Sequence, residues 1–147
     1  MFKYNLFLFK DLPSAWLCGV RVRDLNDKKC IITVKHNWFN SNPFKSLYWA
    51  VQGMASELAT GLAIIDFTNK NSLNISMLVV SNESRFLKKA KGKIRFECDE
   101  VSKIKKTLSS LSKNKTTCKI KLKSTGYDES GEVVSEFIYE WSFKLKS

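Results

Sequence analysis

From Leu47 to Ile65 the chain carries one charged side chain, Glu57, among apolar, small, hydroxyl, Tyr and Gln residues. A carboxylate among such neighbours is expensive to enclose unless it is paired or has a chemical task. Burial would also lift its pKa toward that of a general base or nucleophile. The alternatives are a lysine partner, or a groove through which Glu57 reaches solvent. At about 100° per residue, Ala50, Gly53, Glu57, Gly61 and Ile64 fall on one side of a helix. Each glycine there costs about 1 kcal/mol relative to Ala. Gly53 and Gly61 therefore point to a backbone or a ligand approaching closely on the Glu57 side.

Other reactive side chains are sparse. His36 is the only histidine, and Cys18, Cys30, Cys98 and Cys118 form no Cys-x-x-Cys. This argues against a zinc site and, unless His36 is the base, against Ser-His-Asp or Cys-His catalysis. Neither metal nor cofactor is expected. The cysteines read as buried free thiols in a reducing cytoplasm. Ser46, just before the long apolar run, suits a helix N-cap better than a nucleophile.

The elements that must hold Glu57 follow from periodicity. Leu47, Val51, Met54, Leu58, Leu62 and Ile65 space a helix over 46–65. A helix apolar nearly all round is enclosed, as it would be by a sheet wrapped around it. Residues 2–10 and 13–17 read as two short helices. Residues 18–24 and 29–35 alternate as a hairpin around Leu25-Asn26-Asp27-Lys28, and 36–45 is an aromatic, Asn-rich loop. Strands are expected over 74–88, 93–99, 116–125 and 132–145, with a helix over 100–113. The sum is one α+β domain over 1–147, its sheet mostly antiparallel.

Lys plus Arg number 25 against 14 Asp plus Glu, a net charge of +11. Yet Lys119, Lys121 and Lys123 alternate with Cys118, Ile120 and Leu122, which puts the charges on a solvated outer face. That face could still attract phosphates or an acidic carrier protein. No aromatic platform interleaves with the basic strands, so a nucleic-acid partner is not expected. No run of about 18 apolar residues offers a membrane span. The apolar start of the chain is too short for a signal peptide and has no small-residue cleavage site.

Several runs resemble the hotdog superfamily of acyl-CoA thioesterases, closest to an uncharacterised thioesterase-like branch. These are Leu12-Pro13-Ser14-Ala15-Trp16 with Gly19-Val20-Arg21-Val22, then residues 38–48 from Trp38 to Tyr48, then Met54-Ala55-Ser56-Glu57-Leu58-Ala59-Thr60-Gly61. The resemblance implies a hotdog fold, a curved antiparallel sheet wrapped around one long central helix. It implies a homodimer or dimer of dimers, with the site between protomers. It also implies hydrolysis of acyl-CoA or acyl-carrier-protein thioesters. Glu57, four residues before Gly61, takes the place of the family's helix carboxylate. Asn42, fifteen residues earlier, takes that of the upstream amide. The N–H of Trp49 would be the oxyanion donor. Ser46, Tyr48, Trp49, Gly53 and Gly61 would line the substrate site. Many active relatives carry His-Gly-Gly where this chain has Tyr48-Trp49-Ala50. Glycine lets substrate approach the backbone, whereas Trp49 presents a large ring. That departure favours the other reading of the same fold, a non-catalytic binder of acyl or lipid-like ligands.

Overall fold

Alternation shapes the sheet of this computed structural model, which describes residues 1–146. In β5 (Thr117–Tyr127), Ile120, Leu122 and Ser124 are buried while Lys119, Lys121 and Lys123 face out. In β6 (Val133–Leu145), Ser135, Phe137, Tyr139, Trp141 and Phe143 all point inward. With β1 (Arg21–Leu25), β2 (Cys30–Lys35), β3 (Ile75–Phe86) and β4 (Lys93–Cys98), they form one six-stranded sheet of order β1-β2-β4-β5-β6-β3. Every neighbouring pair is antiparallel. Irregularities at Val22/Asp24, Val79/Ser81 and Gly126/Tyr127 bend the strands and add to the curvature. Of these outward lysines, Lys123 pairs with Glu136 at 2.5 Å.

The sheet curls around α3 (Trp49–Lys70), giving the hotdog α+β fold. Val51, Ala55, Leu58, Ala59, Leu62 and Ile64 pack into the core with Ile32, Ile94, Phe96 and Leu122. Each fully buried aliphatic side chain contributes about 1.5–3 kcal/mol. The helix differs from the expected 46–65 at both ends. It begins at Trp49 because 46–48 is pinned in extended form: Leu47 N–H bonds Ala90 O at 2.8 Å and Tyr48 N–H bonds Asn40 O at 2.9 Å. Tyr48, not Ser46, is the N-cap, and among the described residues no side chain caps that end of the helix. At the other end a last turn is tied by Lys70 to Asp66 at 2.7 Å. The helix is also not enclosed all round. Trp49 and Glu57 are exposed and Ala50, Gly53 and Met54 half-buried, so one stripe stays open.

Two helices precede the sheet, α1 (Phe2–Asp11) and α2 (Pro13–Leu17). Asn5 of α1 donates to Val22 O at 3.0 Å and accepts from Val22 N–H at 2.9 Å, which blunts the β1 edge. Among the described residues the outer edge of β3 carries no such cover. The amphipathic α4 (Val101–Leu108) buries Val101, Ile104 and Leu108. Cys30 and Cys98 face each other across β2 and β4, both buried, whereas Cys18 and Cys118 are only half-buried. Burial pushes the Cys98 thiol up to about 12, so it stays protonated and unreactive. No helix among the described residues is long and apolar enough to cross a membrane.

Candidate active site

Three adjoining grooves follow the open stripe of α3. The first, of 410 Å³ at the start of the helix, is lined by Asn42, Ser46, Trp49 and Gln52, with Phe86 and Lys89 opposite. The second, of 300 Å³, lies between Trp49, Gly53 and Glu57 on one side and Val79, Phe137 and Tyr139 on the other. The third, of 360 Å³, is apolar. Met54, Leu58, Gly61 and Trp141 line it, and Phe7 and Ala15 bring in the N-terminal helices. Trp49 borders the first and second grooves, and Glu57 the second and third.

Glu57 is therefore at a junction. It reaches solvent at a groove, one of the alternatives its sequence setting raised. The lysine partner is not there: no cation pairs with it among the described residues. The groove walls nonetheless withdraw much of the surrounding water, and that desolvation raises its pKa above the ordinary glutamate value. A carboxylate that is reachable, unpaired and made more basic can accept a proton from water or attack a carbonyl.

The preceding loop is built around two asparagines. Asn40, buried, donates to Cys18 O and Lys35 O, both at 2.9 Å. Asn42 accepts from the N–H groups of Phe44 at 3.0 Å and Ser46 at 3.2 Å, and it donates to Ser46 Oγ at 3.1 Å. These bonds carry the chain through Lys45, whose φ of 58° lies in the left-handed region. Asn42 and Ser46 thus hold each other, and within one chain they line a different groove from Glu57. Tyr48 and Trp49 are exposed and meet edge to face with ring centroids 6.0 Å apart. The Trp49 and Ala50 N–H groups have no acceptor among the described residues. They sit at the positive end of the helix dipole. His36 Nε2 lies 2.9 Å from Ser41 Oγ, away from the grooves that Glu57 borders.

The two helix glycines differ. A Cβ on Gly53 would meet nothing within 4 Å, so Gly53 leaves groove volume open. A Cβ on Gly61 would come 3.2 Å from the Trp141 ring, so Gly61 admits that indole. Three buried polar contacts escape a reading by residue type alone. Gln52 accepts from Ser135 at 2.9 Å, Ser56 Oγ lies 2.6 Å from Tyr139 Oη, and Thr60 Oγ1 accepts from Trp141 Nε1 at 3.0 Å. The one signal for them in the sequence is a polar residue every fourth position, 52, 56 and 60, along an apolar helix.

The family described as DUF4442, a domain of unknown function, matches residues 6–142. No curated protein matches the chain. Solved structures match its fold. One is a Pseudomonas aeruginosa protein of unknown function, described as a probable thioesterase. It has a TM-score of 0.84 and 20% identity over 99% of this chain and 97% of that one. A Chlorobaculum tepidum protein of unknown function has a TM-score of 0.83 and 14% identity, over 98% and 93%. A thioesterase family protein from Silicibacter pomeroyi has a TM-score of 0.70 and 14% identity, over 97% and 96%.

Proposed function

The chain belongs to the DUF4442 family, a domain of unknown function, and on that premise we propose that it hydrolyses acyl thioesters with Glu57 as the reacting carboxylate. One observation carries the reading: an unpaired carboxylate of raised pKa stands where a mixed groove meets an apolar one. In this scheme the apolar groove takes the acyl chain and the mixed groove takes the thiol arm. Water adds to the thioester carbonyl as Glu57 accepts its proton. The C–S bond then breaks, the sulfur leaves with a proton, and a carboxylic acid remains. Attack by Glu57 itself, with an anhydride hydrolysed in a second step, uses the same groups.

The oxyanion needs donors, and the free N–H of Trp49 at the head of α3 is the candidate, with Asn42 beside it. Because Asn42 and Glu57 line different grooves in one chain, the scheme is most economical in a homodimer, alone or as a dimer of dimers. There the loop of one protomer faces Glu57 of its partner. The uncovered β3 edge supports such pairing: Leu78 is 63% exposed and Val80 40%. Either coenzyme A or an acyl carrier protein suits a basic chain as the thiol carrier. The free thiols suit a reducing compartment such as the cytoplasm.

The test is a panel of acyl-CoAs with thiol-release detection on wild type and Glu57→Gln in parallel. Turnover in wild type and none in the variant is expected; equal turnover removes Glu57 from the chemistry. The second reading, a non-catalytic acyl binder, is favoured by Trp49 standing over the groove and by Asn42 bonding its own loop. Co-purified lipid, with no hydrolysis across the panel, would decide for it.

A further inference from the structure

We propose that Tyr139 and Trp141 are positioning residues for Glu57, gripping both ends of its peptide from β6 and so fixing where its carboxylate enters the groove. The inference rests on Glu57 being the reacting group. At the N-terminal end, the Tyr139 hydroxyl lies 3.1 Å from the Gly53 carbonyl and 2.6 Å from Ser56 Oγ, and Ser56 Oγ bonds the same carbonyl at 3.0 Å. In the helical ladder that carbonyl is the acceptor for the Glu57 N–H. At the other end, Thr60 Oγ1 donates to the Glu57 carbonyl at 2.8 Å and accepts the Trp141 indole N–H at 3.0 Å.

Counting protons gives these ties a direction. Indole nitrogen only donates, so the second chain runs from Trp141 to Thr60 to Glu57. In the first, two hydroxyl protons serve three contacts, and every arrangement delivers at least one to the Gly53 carbonyl. Ser56 and Thr60 already satisfy themselves by bonding back along the helix, as mid-helix hydroxyls commonly do. Their satisfaction does not require an aromatic from β6. A phenylalanine at 139 would stack on Phe137 as Tyr139 does, with centroids 6.1 Å apart and planes within 3°. What the tyrosine hydroxyl adds is a directional bond to the turn that carries Glu57. All four side chains are buried, where such bonds are strong and unscreened. None of them bonds the Glu57 carboxylate, which is left free for substrate.

Small rotations matter here. At the roughly 6 Å radius of a helix with its side chains, a turn of about 10° moves a carboxylate by about 1 Å. Misplacement on that scale can lower a rate by about 10²-fold.

Tyr139→Phe and Thr60→Val remove one tie each at nearly constant volume, and Thr60→Ser retains its tie. Three readouts apply: kcat and KM on a thioester, carboxyl carbon NMR titration of Glu57, and amide hydrogen exchange at Glu57 and Gly61. Tyr139→Phe and Thr60→Val should lower kcat by about tenfold or more with KM little changed. They should also bring the Glu57 midpoint down toward that of a solvated glutamate, and speed exchange at Glu57 or Gly61 but not at Ile64. Thr60→Ser should match wild type. Unaltered Glu57 titration and exchange in both tie-removing variants overturn the proposal, whatever the rates do. Should wild type turn over no thioester, the hydrolase reading fails, while titration and exchange still judge the positioning role.

Discussion

The Tyr4 hydroxyl donates to Asp66 Oδ1 at 2.5 Å, joining α1 to the last turns of α3 across 62 residues. Lys70 reaches the other carboxylate oxygen at 2.7 Å. Burial works against the charged form of Asp66, but the Lys70 and Tyr4 hydrogen bonds prevail and its pKa is lowered. Tyr4 itself is pushed up to about 12, by burial first and then by its bond to Asp66.

A group whose folded pKa is depressed stabilises the protein above its unfolded pKa, about 3.9 for aspartate. That stability is lost as pH falls through the lower folded value. Asp66→Asn should therefore cost about 1–3 kcal/mol at pH 7 and less near pH 2. Urea unfolding of both proteins at the two pH values checks it. An equal deficit at both would show that packing, not charge, is what the substitution removes.

Glu57 has the opposite sign. Its folded pKa is raised by desolvation. The stability it contributes is present below the unfolded glutamate value and lost as pH rises through the folded one. Glu57→Gln should thus unfold at higher urea than wild type at pH 7 while losing about 10²-fold or more in hydrolysis. In wild type, kcat/KM should climb with pH through a midpoint above the usual carboxylate range. A profile centred on the ordinary value of about 4.3 would contradict a desolvated base.

Among the described residues β3 hydrogen-bonds to a strand on one side only, β6, and its outward Leu78 and Val80 are large and exposed. Leu78→Glu with Val80→Lys should convert a dimer into a monomer, read by sedimentation at micromolar concentration. It should also abolish hydrolysis if the site spans two chains. A wild type that sediments as a monomer would return the chemistry to the grooves of a single chain.

Gly126 sits at the β5 irregularity opposite Ser135. A Cβ there would meet Phe96 Cε1 at 2.7 Å and Ser135 Oγ at 2.9 Å. Both neighbours are buried. Gly126→Ala should therefore destabilise by about 1–3 kcal/mol through overpacking, measured as a lower urea midpoint. KM should stay unchanged, since Gly126 lies outside the grooves Glu57 borders.

Sequence alone determined which face of each alternating strand is dry and roughly where the main helices and strands lie. The alternation in β5 and the spacing in α3 are local properties, and burial of apolar groups enforces them wherever the strands end up. It also singled out Glu57, because one charge in an apolar run is conspicuous without coordinates. What it did not contain was partnership. By type and place Ser46 suits a cap, but Asn42 holds it and Asn40 pins Tyr48, so the helix starts three residues further along. The open stripe of α3 arises because the sheet covers only part of the helix, a matter of curvature rather than composition. Nothing in the sequence sets Tyr139 and Trp141 apart from the other residues of the strand over 132–145. Only the tertiary structure brings them to Ser56 and Thr60, 83 and 81 residues away. A side chain's type sets what it can bond, but register and curvature, summed over the whole sheet, choose what it meets.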